Sequence, residues 1–168
     1  TPSKFHVSEA IKLLKKNIHI FIEKPLGSSL KNINKLKNII FNKPKIKTMM
    51  GFQLKFNPLI LKLKQLIEIN SIGKIYNIFI HHGEHINDFH PYEDYKVSYA
   101  AKKSLGGGVI LTQIHEIDYL LFLFKKYKIK ILDTFPSKIS NLKIDVEDSL
   151  NANLKLEKKK NQKIFCSL

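Results

Sequence analysis

Apolar positions along the first third of the chain switch between two periods. Val7, Ala10, Ile11 and Leu14 recur at three- and four-residue steps behind a Thr1-Pro2 start, the pattern of an amphipathic helix that Asn17 closes. Residues 18–22, interrupted only by His19, read as a buried strand. Ser28 or Ser29 caps a second helix carrying Ile33, Leu36 and Ile40, and residues 46–51 read as another strand. Strands alternating with helices imply parallel pairing in an α/β sheet. Asn57-Pro58 is an N-cap and first-turn pair for a third helix with Ile60, Leu63 and Ile67 inward, which Ser71-Ile72-Gly73 breaks.

Beyond that helix the texture changes. Residues 74–82 and 150–156 read as strands, the second with Leu150, Ala152, Leu154 and Leu156 on one face and Asn151, Asn153 and Lys155 on the other. One helical stretch, residues 109–124, lies between them and is entered through Gly106-Gly107-Gly108. Residues 164–168 read as the interior of a strand, so both ends look cut. The pattern shows no internal repeat and suggests two units, residues 1–52 and 53–168.

Composition narrows the class. With 168 residues and 43% hydrophobic content the chain can bury a core, while its apolar runs are too short to span a bilayer. Cys166 is the only cysteine, which excludes an internal disulfide and fits a reducing compartment, the cytoplasm; nothing at Thr1-Pro2-Ser3-Lys4 reads as a secretion signal. The net charge of +15 raises the question of nucleic acid, but all 29 basic residues are lysine, and the arginine fork that reads guanine and clamps phosphate is absent. Lysine is spread along every segment, as on a solvated basic surface; the one short run, Lys158-Lys159-Lys160, sits where a hairpin turn would be polar in any case.

Four segments carry groups capable of chemistry. Glu23-Lys24-Pro25 follows an apolar strand directly, at the carboxyl edge of a parallel sheet where α/β folds place ligands. Partial burial there would lower the lysine pKa and let it serve a substrate hydroxyl, and a plain surface turn fits the same residues. His115 and Asp118 share a helix face, so the imidazole could take an alcohol proton beside an orienting carboxylate; a packed histidine and a solvated aspartate fit equally. His81, His82, Glu84, His85, Asp88 and His90 literally match an inverted zinc-protease signature. That motif needs a helix, whereas the strand pattern before Gly83 would hold His81 and His85 roughly 13 Å apart, so no metal site is expected. Lastly, the stretch from Asp88 to Tyr99, with Tyr92 and Tyr95, mixes rings and hydrogen-bonding groups suited to a sugar, to solvent or to a subunit contact.

In order, these landmarks resemble the glucose-fructose oxidoreductase and inositol dehydrogenase (Gfo/Idh/MocA) family. Thr1-Pro2 with His6, the tripeptide Glu23-Lys24-Pro25, and Gly51-Phe52-Gln53-Leu54-Lys55-Phe56-Asn57-Pro58 are similar to its nucleotide-domain turn, hallmark tripeptide and linker, with Lys55 where arginine is usual. Ile72-Gly73-Lys74-Ile75, the triple glycine with His115 and Asp118, and Val146-Glu147-Asp148 resemble landmarks of its second domain. The resemblance implies the C-terminal part of a Rossmann-type nucleotide-binding domain, residues 1–52, followed by an α+β substrate domain with an open, largely antiparallel sheet that also makes a homo-oligomer contact. It implies hydride transfer between NAD or NADP and a secondary hydroxyl of a sugar, sugar derivative or nucleotide sugar. Lys24, His115 and Asp118 would be catalytic. Thr1, Pro2, Glu23, Lys24, Pro25 and Gln53 would lie at the nicotinamide, and Tyr92, Tyr95, Tyr99, Thr112, Lys24, His115 and Asp118 at the sugar.

Two departures stand out. Many members carry an acidic residue one turn before the histidine, where this chain has Leu111 or Thr112. No strand, Gly-x-Gly-x-x-Gly and helix cradles a pyrophosphate here, which suggests a chain lacking its N-terminal half, inactive alone. The loop wording is similar to members found with surface-polysaccharide genes. A non-catalytic sugar-binding or assembly module is the alternative, since fold does not fix chemistry.

Overall fold

A computed structural model describes residues 1–89, 91–158 and 162–168. Helix α1 (His6–Lys15) opens the first unit, and Asn17, at φ 61°, takes the left-handed turn that ends it. Its apolar stripe packs on β1 (Ile20–Ile22) and α2 (Ile33–Asn42) through Val7, Ile11, Leu14, Ile20, Ile22 and Leu36, and β2 (Thr48–Met50) lies beside β1. Burying Val7, Ile11 and Leu14 contributes about 1.5–3 kcal/mol each. As expected, β1 and β2 pair in parallel, Ile20 opposite Thr48.

Details of this unit differ from the sequence pattern. Only residues 20–22 of the apolar run form strand, and Ile18 and Phe21 are exposed, because the helices cover one face of the pair and the other face is uncovered among the described residues. The strand at residues 46–51 shortens to Thr48–Met50. Neither Ser28 nor Ser29 caps α2; Asn32 stands before it with φ 63° and no side-chain cap. The serines are used elsewhere, Ser29 accepting from the Lys31 amide (3.4 Å) and Ser28 packing on Gly106.

A 3-10 turn at Gln53–Phe56 leads to α3 (Pro58–Glu68), capped as expected by Asn57, whose side chain accepts from the Leu59 amide at 2.9 Å. Ile60 and Ile67 face the second core, whereas Leu63 is 38% exposed, so the inward stripe is narrower than the spacing predicts. The four-stranded sheet has the order β3-β6-β5-β4. In it β3 (Asn77–Phe79) is parallel to β6 (Gln162–Ser167), while β6 with β5 (Ser149–Lys158) and β5 with β4 (Lys128–Ser137) are antiparallel. Thus β3 is far shorter than residues 74–82, and β4 is a strand the hydrophobic pattern did not mark. The alternation in β5 is as expected: Ala152, Leu154 and Leu156 are buried and Asn151 and Asn153 exposed. Lys158 pairs with Gln162 across a hairpin whose Lys159 and Lys160 lie outside the described residues, as does His90.

The stretch at residues 109–124 is two helices and not one. After a short α4 (Ile86–Phe89), α5 (Val109–Thr112) ends at Gln113 and α6 (His115–Leu123) restarts the chain with His115 at its first position. Leu120, Leu123 and Phe124 of this segment meet Leu154, Leu156, Ile164 and Cys166 of the sheet in the second core. No helix among the described residues is long and apolar enough to cross a membrane.

Candidate active site

Polar links tie the two cores together, and the candidate residues lie along them. Glu23-Lys24-Pro25 leaves β1 at the carboxyl edge of the parallel pair, with a cis Lys24–Pro25 bond. The Lys24 ammonium donates to the carbonyl of Thr112 at 2.6 Å, across the break between α5 and α6 and three residues ahead of His115. Burial pushes Lys24 below its ordinary 10.5, against the pull of Glu23, Glu116 and Glu84. His115 is held below 6.5 by burial and then by the Lys24 charge, with Glu116, Asp118 and Glu23 opposing. At neutral pH its ring is therefore a free base. Its Nδ1 is buried with no hydrogen-bond partner, and Phe52 meets the ring edge-on at 6.3 Å between centroids.

Asp118 is placed differently from the helical-spacing expectation of a carboxylate orienting His115. It is 7% exposed and gives Oδ1 to the Lys55 ammonium at 2.7 Å, so the linker turn takes its charge and Oδ2 is left buried without a partner. Gln53 opens the same turn on the exposed side. Thr1 and Pro25 meet at the ring of His6, through their carbonyl oxygens. Glu23 lies over Gly51, where an added Cβ would come within 2.7 Å of its carboxylate.

The triple glycine is a packing requirement. Gly106 (φ 83°) sits on Ser3, whose hydroxyl donates to its carbonyl at 3.2 Å; Gly107 leaves no room for a Cβ against the Tyr99 and Ala100 carbonyls; Gly108 (φ 102°) lies under Glu147. Glu147 accepts from the Ile110 amide at 3.2 Å, covering the start of α5. Of the tyrosines, Tyr99 is half-buried and raised above 10.0 by burial and then by Glu23 and Glu93. Tyr95 accepts from the Lys143 amide at 3.4 Å, and Tyr92 is 81% exposed; the structure does not bring these two to Lys24.

A cleft of about 440 Å³ opens behind Thr112, lined by His82, Glu84, Gln113, Glu116, Ile117 and Leu150 among others. Lys24, His115 and Asp118 do not line it, and among the described residues no lysine does. Glu116 and His82 approach to 3.6 Å and Gln113 donates to Glu84 at 3.3 Å. Neither Glu116 nor Glu147 stood out in the sequence as a site residue; a carboxylate between Ile114 and Ile117, and one in the segment after the triple glycine, were the available signals. Among the described residues no group of three His, Cys, Asp or Glu side chains is close enough to share a metal ion.

Residues 60–168 match the Gfo/Idh/MocA C-terminal domain, and residues 1–52 match the oxidoreductase family's NAD-binding Rossmann fold. The chain belongs to the Gfo/Idh/MocA oxidoreductase family. No curated protein matches it in sequence. Among solved Gfo/Idh/MocA-like structures, it superposes on myo-inositol 2-dehydrogenase from Lactobacillus plantarum with a TM-score of 0.76, at 18% identity over 99% of this chain and 48% of that one. Scyllo-inositol dehydrogenase from Lactobacillus casei, with bound NAD(H) and scyllo-inositol, gives 0.74 at 21% identity over 99% and 48%. The WlbA dehydrogenase from Bordetella pertussis, in complex with NADH and UDP-GlcNAcA, gives 0.75 at 20% over 100% and 46%. At these identities the likeness shows the fold, and the chain spans about half the length of each.

Proposed function

We propose that this family member works in an NAD(P)-dependent oxidoreductase that moves a hydride between the nicotinamide and a secondary hydroxyl of a sugar, sugar derivative or nucleotide sugar. The observation that carries the reading is the meeting of Lys24 and His115: a lysine from the nucleotide-side unit reaches the carbonyl three residues before a neutral histidine of the other unit, and burial lowers both. A lysine with a lowered pKa can donate to a hydroxyl oxygen, and a neutral imidazole can accept the proton that the hydroxyl loses. In this reading Lys24 Nζ orients the carbinol oxygen and a ring nitrogen of His115 takes its proton. Asp118 acts from behind, bolting α6 to the linker through Lys55.

The residues present fit the nicotinamide end of a dinucleotide: the turns at Thr1-Pro2 and Glu23-Lys24-Pro25 share one edge, and the buried, unpartnered Nδ1 of His115 belongs to the same seam. NAD or NADP, when bound, supplies the hydride acceptor. The sugar would enter from the cleft behind Thr112 and reach Tyr99 beyond the cleft's lining, with Tyr92 and Tyr95 on an outer loop. The outer face of the sheet, where Phe79, Phe135 and Phe165 are exposed, suits a homo-oligomer contact, and the buried Cys166 suits a reducing cytoplasm. A role in polysaccharide biosynthesis fits the same reading.

The test is turnover of sugar alcohols with NAD or NADP by the complete protein. Lys24→Met and His115→Asn are each expected to lower kcat on the order of 10² to 10⁴-fold, with cofactor affinity nearly constant for His115→Asn and at most modestly weakened for Lys24→Met. His115→Asn with turnover and pH profile near wild type would reject the assignment and leave a sugar-binding or assembly module.

A further inference from the structure

The imidazole of His6 is 7% exposed, at the first position of α1, and both of its nitrogens have partners. Nδ1 lies 2.8 Å from the carbonyl oxygen of Pro25 and Nε2 lies 2.9 Å from that of Thr1. Carbonyl oxygens only accept, so a neutral ring donates to one of them and a doubly protonated ring to both. In either form the ring stands between two turns, the one that enters α1 and the one that leaves β1.

That second turn needs such an anchor. Pro25 has no amide hydrogen to fix it, which leaves its carbonyl as the backbone handle next to Lys24. The segment after it lies against α1, since a Cβ on Gly27 would stand 3.1 Å from Val7. A lysine side chain has four rotatable bonds, and the Pro25 carbonyl that His6 holds lies one residue past the backbone from which Lys24 starts toward Thr112. We propose that His6 is a positioning residue for Lys24: by tying the Pro25 carbonyl to the Thr1 turn it keeps the ammonium seated on the Thr112 carbonyl. This inference rests on Lys24 as the working lysine, but its test reads Lys24 directly and not turnover.

The experiment is trace acylation of the complete chain over pH 7 to 11, with mass spectrometry of the Lys24 and Lys37 peptides. Wild-type Lys24, facing the carboxylates of Glu23, Glu84 and Glu116 yet half-buried, should label with a midpoint below 10.5. His6→Leu fills the space without a donor and should move that midpoint up toward 10.5, with the free-amine fraction at pH 8 falling about tenfold for every pH unit by which the midpoint rises, while Lys37 is unchanged. His6→Gln, whose amide donates, should recover most of the wild-type profile. A folded His6→Leu chain with an unmoved Lys24 profile overturns the proposal. Should that variant not fold, the wild type decides: a His6 ring held between two carbonyls gives a slowly exchanging ring N–H in 15N-edited spectra, and one averaged with solvent like the exposed His81 overturns it. An unchanged turnover in a variant with a displaced Lys24 would count against the catalytic reading and leave the clamp intact.

Discussion

Removing Lys55 should cost more stability than removing its partner's charge. The Lys55 ammonium is 2.7 Å from Asp118 Oδ1, and the two side chains are 35% and 9% exposed. Asp118 Oδ2 has no other partner, so Lys55→Met leaves a buried carboxylate alone. Breaking a fully buried pair this way costs about 3–5 kcal/mol. Water already reaches the lysine side here, which scales the expectation to about 2–3 kcal/mol. Asp118→Asn keeps an amide oxygen facing the ammonium, and Lys55 can turn outward, so about 1 kcal/mol is expected. Urea unfolding of the chain and its two variants measures both losses, and a chain of this length should show roughly 4–12 °C in Tm for Lys55→Met. Lys55→Met with Asp118→Leu should recover much of the loss, since an apolar pair of similar volume carries no desolvation cost. If Lys55→Met is no more destabilising than Asp118→Asn, the ion pair is screened and does not hold the linker to α6.

Gly107→Ala should prevent folding or cost more than about 3 kcal/mol, because its Cβ would lie 2.4 and 2.5 Å from backbone oxygens that cannot give way; Gly73→Ala, at φ 73° but with open space, should cost only about 1–2 kcal/mol in the same melting assay. Cys166 is 1% exposed and pushed up to about 11 by burial, so a disulfide reagent at pH 8 should label the native chain at least about a hundredfold more slowly than the urea-unfolded one. The unfolded His115 ring, near 6.5, binds a proton before the folded one does; stability from its neutral burial is complete above that pH and is lost as pH falls toward the folded value. The urea midpoint should accordingly drop less between pH 7.5 and 5.5 in His115→Asn than in the wild type.

What the sequence made legible was local in origin. Asn17, the Asn57-Pro58 cap and the alternation of β5 follow from short-range sterics, capping and side-chain period, and each stands where expected. What stayed hidden depends on distant parts of the chain. Ile129 and Ile131 alternate with lysines as a strand would, but β4 is an edge with Ile131 63% exposed, so no dense apolar run announced it. The break between α5 and α6 carries no glycine or proline. It coincides with Lys24 reaching Thr112 from 88 residues away and Glu147 reaching Ile110 from 37 away, partners that no window of local sequence contains. Asn32, not a serine, precedes α2, and Ser28 packs instead on Gly106, distant in sequence.

The same division explains where the candidate site lies. Each core is built of apolar side chains from its own unit, whereas the seam between them is made of directional contacts: Ser3 on Gly106, Lys24 on Thr112, Lys55 on Asp118. Apolar packing tolerates volume-conserving exchange, but a hydrogen bond to a carbonyl is met only at one distance and direction. A seam of such bonds fixes the Lys24 ammonium on the segment that leads to His115, independently of how either core is filled. Substitutions in the cores should therefore change stability and spare the Lys24–His115 geometry, while substitutions in the seam, and at His6 behind Lys24, should displace that geometry beyond any change in stability.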